Sequence, residues 1–315
     1  MRTDLAEPLK VSDTPAYPLE SVAVERVSGI APERFAREYM TGWCRPVIVT
    51  DATDAWPARS EWSFDFFAQR YGDRRVVVTD RLVRPTVARR VAFSEYMLYC
   101  QMPFATALGQ VAAPAPFYLT GFSPLSWDPE LLEYFSDPYF IENAYRRQLS
   151  GPLLNWYFDN FSWLFIGPKG TLSPLHVDLF GTHAWLAQVH GRKHFLLFSP
   201  RDAPYVYDGQ VDFFRPDLDR FPLLEKARPV EAILEPGEVI FIPANWSHQV
   251  ISLDASISLT MNFATAGNFV AHLMAICRDL PLWIKRIDTP AFREANGARW
   301  TSRDLAPNDS PEGGA

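Results

Sequence analysis

Between residues 163 and 264 the chain is written as eight short apolar runs, set apart by glycine and proline turns. The runs are 163–167, 172–178, 183–189, 194–198, 230–234, 238–242, 247–253 and 256–263. They are too short for buried helices and rich in β-branched and aromatic residues, which fits strands. Eight strands with turn signals between them predict a barrel or a double-sheet jelly roll. Their spacing is regular except for an insert at 199–229.

The flanks have a different texture. Residues 1–20, with Pro8, Pro15 and Pro18 and no periodicity, read as an extended arm. Residues 21–150 mix helix and strand signals, an α/β extension with an insert. Ala31-Pro32 opens a helix over 32–43, with Phe35, Tyr39 and Trp43 at four-residue spacing. Strands are expected at 46–50, 76–79 and 117–120. Helices are expected at 64–71, capped by Ser63 and closed by Gly72, and at 94–100. The prolines and aromatics of 123–150 suggest short helices. The β core is assigned to 151–265. Helices follow over 266–300, the first running to Ile287 with Pro281 a candidate break. Residues 301–315, polar and rich in glycine and proline, read as a disordered tail.

Charge narrows the function. The chain carries 30 basic and 37 acidic residues, a net −7, which argues against a general nucleic-acid binder. The arginines at 81, 84, 89 and 90 read either as a solvated loop or as a basic rim for an acidic substrate. Cys44, Cys100 and Cys277 lie far apart with no C-x-x-C pair, which excludes a zinc ribbon and suits a reducing compartment. No apolar stretch reaches 18 residues, and Met1–Lys10 carries Asp4, Glu7 and Pro8 rather than a signal sequence. The expected setting is the cytoplasm, with no membrane or nucleic-acid partner.

The chemistry concentrates in His176-Val177-Asp178. Two residues apart on a strand, His176 and Asp178 project to one face. His248 comes 72 residues later on another expected strand, just after the turn Pro243-Ala244-Asn245. Two imidazoles and a carboxylate make a facial triad that leaves coordination positions open, which suits non-haem Fe(II). An H-x-D pair alone says little. The distal histidine, at the end of the run Leu234–Pro243 and its turn, gives it weight. Lys193 enters the apolar run Phe195–Phe198, where an ammonium is costly to bury without an anion. His183, His190, His194 and His272 read as structural or surface residues, with His183 nearest the expected metal mouth.

The run Gly167–Asp178, the stretch His176–Trp185, Gly191-Arg192-Lys193, Asn245–His248 and Ile257–Phe263 together resemble the JmjC and cupin-like family of 2-oxoglutarate oxygenases. The nearest likeness is to the JmjC lysyl-hydroxylase branch. It covers about residues 110–265 and is patchier over 30–80. The resemblance implies a mainly β fold with helices, a double-stranded β-helix carrying the α/β extension and C-terminal helices. It implies that His176, Asp178 and His248 bind Fe(II), and that Lys193 and Thr260 hold the C5 carboxylate of 2-oxoglutarate. Ser173 and Tyr118 would lie near that cosubstrate or the substrate, and Asn262 near the metal. Where the branch has an asparagine after Ala-Trp, this chain has Leu186.

The implied reaction uses O2 and 2-oxoglutarate to hydroxylate a C–H bond, releasing succinate and CO2. The expected substrate is a protein or peptide side chain, with a free amino acid or small natural product as the alternative, and a non-catalytic cupin binding protein as the outlier. An open groove would suit a peptide. A capping insert at 199–229 would suit a small molecule. The family also implies a homodimer through the C-terminal helices.

Overall fold

A computed structural model of the chain describes residues 21–80, 87–102, 107–108, 111–112 and 115–287. The expected arm, the tail, Arg81 and Arg84 lie outside the described residues. Two short strands, β1 (Val22–Ala23) and β2 (Glu25–Val27), lead into helix α1 (Pro32–Tyr39). Pro32 sits where its missing N–H costs nothing, and α1 buries Phe35 and Tyr39. The helix stops short of the expected Trp43. Gly42, at φ 64°, turns the chain left-handed, and Trp43 is left 73% exposed. Strand β3 (Val47–Val49) and helices α2 (Ala58–Glu61) and α3 (Phe64–Tyr71) follow. Ser63 caps α3 as expected, its hydroxyl accepting from the Phe66 amide at 3.1 Å.

A hairpin of β4 (Arg75–Thr79) and β5 (Ala88–Ala92) carries Arg89 and Arg90, and α4 (Phe93–Cys100) packs beneath it. After the small ladder of β6 (Ala107–Leu108) and β7 (Val111–Ala112) comes β8 (Leu119–Phe122), two residues later than expected. Tyr118 makes only an isolated bridge to Thr79, which delays the start of the strand. Helices α5 (Ala144–Gln148) and α6 (Gly151–Phe161) precede the core. Sequence reading missed α6. Its signal was Pro152 in the first turn, and it buries Tyr157, Phe158 and Phe161.

The eight core strands stand within a residue or so of their expected positions. They are β9 (Ser162–Gly167), β10 (Leu172–Val177), β11 (His183–His190), β12 (Lys193–Phe198), β13 (Val230–Leu234), β14 (Val239–Ile242), β15 (Ser247–Ser252) and β16 (Ser256–Phe263). Four fall in each of two sheets, in the orders β1-β13-β12-β15-β10 and β2-β3-β14-β11-β16-β9-β8. The core pairings are antiparallel, and the result is a jelly roll. Strands from before residue 150 extend both sheets. β1 adds in parallel to β13, β3 pairs with β14, and β8 with β9. The division expected at 150/151 is therefore crossed by strand pairing, which covers edges that would otherwise stay unpaired.

Alternation along each strand sorts side chains between two environments. Ala184, Leu186, Phe195, Leu197, Ile240 and Val250 meet between the sheets. Leu196 and Phe198 point the other way, against Phe213 and Leu224 of the insert. The Phe213 amide also donates to Gln249 Oε1 at 2.8 Å. The insert thus plasters the outer face of the smaller sheet and does not cap the cavity. The α/β extension covers the outer face of the larger sheet, packing Phe35, Tyr39 and Trp56 against Trp185 and Phe241.

One turn admits only glycine. At Gly191, φ is 70°, and a Cβ would sit 2.1 Å from the Ala255 carbonyl oxygen. Next to it Arg192 and Asp254 pair at 2.7 Å. The chain ends its described part in α7 (Phe269–Ile287), which runs through Pro281 without a break. Among the described residues no helix is long and apolar enough to cross a membrane.

Candidate metal centre

His176 on β10 and His248 on β15 are direct partners across the antiparallel ladder. A register shift between Ser173 and His176 interrupts that ladder, a bulge of the kind that re-aims a side chain. The two imidazole centroids lie 4.2 Å apart. Asp178 follows the last residue of β10. One ligand atom from each of the three residues lies within 4.8 Å of the others. His176 Nδ1 is 2.7 Å from the Pro174 carbonyl and His248 Nδ1 is 3.3 Å from the Trp246 carbonyl. A carbonyl only accepts, so each Nδ1 carries a proton and Nε2 is the ring atom whose lone pair suits a metal. Two imidazoles and a carboxylate converging this way fit a divalent transition metal with positions to spare.

The triad stands at the mouth of a cavity of about 530 Å³, part of it open to solvent. His176 is exposed and His248 buried. Lys193 lies at the opposite end. It opens β12, across from Ser252 on β15, while Leu197, four residues on, stands across from His248. Lys193 is 1% exposed. Its Nζ donates to the Tyr118 hydroxyl at 3.0 Å and faces the rings of Tyr118 and Phe165. Among the described residues no carboxylate pairs with it. Burial pulls its pKa from 10.5 down to about 7.

The other expected site residues divide. Ser173, Thr260 and Asn262 line the cavity, as does Leu186, which stands across from Thr260. The Thr260 hydroxyl donates to the Trp185 carbonyl at 2.8 Å, so donation to a ligand requires it to rotate. Asn262 Nδ2 donates to Thr182 Oγ1 at 2.9 Å. Tyr118 does not line the cavity. It stands behind Lys193 and Phe165, its hydroxyl meeting the ammonium and its ring the Phe165 ring.

His183 does not border the mouth. It is buried between Phe241 and Phe263, and its Nδ1 accepts from the Ala244 amide at 3.0 Å. Burial lowers its pKa to about 4, so it stays neutral and braces the turn before β15. His194 points outward on β12, with Nε2 2.6 Å from the Glu231 carboxylate. Trp163, which flanks the motifs in sequence, is part of an apolar wall whose other members, Phe165, Phe195, Ile242 and Val250, went unremarked in the sequence. Strand alternation was the signal that would have found it, because these residues share the parity of inward-facing neighbours.

A family model described as a cupin-like domain matches residues 32–268. The chain is 28% identical over 272 residues to a protein named arginine-specific demethylase JMJ20 from Arabidopsis thaliana, covering 78% of this chain and 58% of that one. It is 28% identical over 295 residues to a Gallus gallus protein named 2-oxoglutarate and iron-dependent oxygenase JMJD4, covering 84% and 67%. It is 27% identical over 289 residues to the Gallus gallus protein named tRNA wybutosine-synthesizing protein 5, covering 82% and 80%. The chain spans little more than half the length of JMJ20.

Proposed function

Because this chain belongs to the cupin-like domain family, we propose that it is an Fe(II)- and 2-oxoglutarate-dependent dioxygenase that hydroxylates a C–H bond of a protein or peptide side chain. One observation carries this reading. One cavity holds a His176–Asp178–His248 triad at its mouth and, at its far end, a buried ammonium that no carboxylate among the described residues pairs with. Two histidines and a carboxylate would also suit catalytic zinc. Zinc hydrolysis by itself does not call for a buried ammonium at the far end of the cavity. A dicarboxylate that chelates the metal at one end and meets Lys193 at the other does. From Lys193 to Leu197 is ~13 Å of strand. The name of the JMJD4 relative supports the same cosubstrate and metal.

His176, Asp178 and His248 would hold Fe(II), and the metal supplies the activation of O2 that breaks an unactivated C–H bond. Lys193 holds the distal carboxylate, braced by Tyr118, with Thr260 and Ser173 beside it. Phe165, Phe195, Val250 and Leu186 form a wall that excludes water from the cosubstrate. Asn262, which lines the same cavity and is held by Thr182, would lie near the metal.

A chain-like substrate fits because nothing described caps the mouth. His176 is exposed, and the insert at 199–229 is occupied on the outer sheet face. The net charge of −7 favours a protein over a nucleic acid. Val270, Leu273 and Met274, exposed on α7, support a homodimer through that helix. The three free thiols suit the cytoplasm.

Anaerobic titration of the purified chain with Fe(II) and then 2-oxoglutarate tests the proposal. A weak visible metal-to-ligand charge-transfer band is expected, diminished in Lys193→Ala. Bound iron with no band in the wild type would overturn it.

A further inference from the structure

Asp178 lies beyond the end of β10, so no ladder hydrogen bond fixes it. Its place depends on the turn Leu179–Gly181 that follows. That turn is awkward for the sequence. Phe180 sits at φ 56°, a left-handed conformation that a bulky residue adopts only when its surroundings hold it there.

The holding groups can be named one by one. The Leu179 carbonyl accepts from Thr182 Oγ1 at 2.8 Å. The Phe180 carbonyl accepts from His272 Nδ1 at 2.7 Å, and the Gly181 carbonyl from Asn268 Nδ2 at 3.1 Å. Two of these three carbonyls are thus gripped from outside the jelly roll. His272 is on α7 and Asn268 is the residue that opens it. His272 is completely buried, between Tyr145 and Phe161. Its Nδ1 must carry the proton to donate to a carbonyl. Its Nε2 therefore accepts, and the Tyr145 hydroxyl is the donor it meets. Gly181 lies against Ala275, one turn further along α7.

We propose that α7 positions Asp178: His272 and Asn268 clamp the carbonyls of the turn behind it, so that the carboxylate meets the two imidazoles only while this helix is docked. This rests on the reading that the triad binds a divalent metal. His272 and Asn268 touch neither metal nor substrate, and act as positioning residues through the backbone. An α-helix from outside the barrel thereby becomes part of the metal centre.

Metal affinity, measured on the full chain with Mn(II) alone by loss of the free-ion resonance signal, separates this from a role in stability. His272→Leu removes both bonds of the ring. Asn268→Asp removes only the donor to Gly181. It keeps the side-chain acceptor that meets the Thr265 amide and suits a helix N-terminus. Partners behind metal ligands are worth about 10- to 100-fold in affinity. Each variant is expected to weaken Mn(II) binding by about 10-fold or more, with cooperative thermal unfolding retained. His272→Asn, whose amide nitrogen falls where Nδ1 was, is expected to stay near wild type. An unchanged Mn(II) affinity in Asn268→Asp overturns the clamp, and that variant decides the matter if His272→Leu does not fold. A wild-type chain that binds no Mn(II) and no Fe(II) overturns the metal reading itself, a separate result.

Discussion

His176 and His248 stand directly opposite each other on adjacent antiparallel strands, 72 residues apart in the chain. Everything between them, including a whole hairpin and the long insert, is a detour that returns the backbone to the same spot. Their rings are each fixed by a carbonyl two residues earlier, Pro174 for His176 and Trp246 for His248. The same local device thus sets the tautomer twice.

Replacing a triad member removes a ligand rather than tuning one. His176→Ala, Asp178→Ala and His248→Ala are each expected to weaken Fe(II) binding by more than about 100-fold, beyond the range for groups behind the ligands. Anaerobic calorimetry reads this. His176→Ala is expected to cost the least stability of the three, because that side chain is exposed.

Lys193→Met removes a buried cation and keeps its volume. The unliganded chain is expected to gain about 1 kcal/mol, since no carboxylate among the described residues offsets the desolvation of the ammonium. The same change is expected to weaken 2-oxoglutarate binding roughly 10- to 100-fold, the worth of a charge-assisted hydrogen bond. Thermal melts with and without cosubstrate separate the two effects. A melting temperature that falls in the absence of ligand would show that Lys193 already has a stabilising partner.

Cosubstrate affinity is expected to fall as pH rises above about 7. Burial holds the Lys193 pKa near 7 against an ordinary 10.5, so above pH 7 the empty site is neutral and the anion must bring a proton with it. Binding then loses up to tenfold per pH unit. The unliganded fold behaves oppositely. Its folded pKa is depressed, so the unfolded chain binds the extra proton, and stability rises from pH 7 toward 10.5. Calorimetry in buffers of different ionisation enthalpy counts the proton taken up.

Gly191→Ala is expected to destabilise the chain by at least about 2 kcal/mol. The left-handed backbone accounts for about 1–2 kcal/mol of this. The clash with the Ala255 carbonyl adds to it, since backbone cannot swing aside. Chemical denaturation reads the loss. Iron affinity is expected to survive, as the turn lies at the far end of the strands from the triad.

Much of the fold was legible because strands announce themselves locally. β11 and β16 show their apolar runs and turns without reference to anything distant. The helix α6 was not legible, since its apolar residues follow a proline-rich stretch and merge with the first core strand. The early end of α1 was hidden too, because Trp43 keeps the helical spacing that Gly42 breaks. Of the site, His176, Asp178 and Lys193 stood out as residue types out of place in apolar runs. His183, read as structural or surface and nearest the expected metal mouth, braces a turn.

By itself the sequence determined the period-two strands, the shared face of His176 and Asp178, and the presence of a lysine inside an apolar run. Those are properties of neighbours along the backbone, and backbone geometry alone decides them. The tertiary structure decided what lies across from what. It set His248 beside His176, buried Lys193 at the far end of the same cavity, laid the insert on the outer sheet face and docked α7 behind Asp178. These depend on which faces find enough apolar surface to bury, a sum over segments far apart in the chain that no local pattern contains.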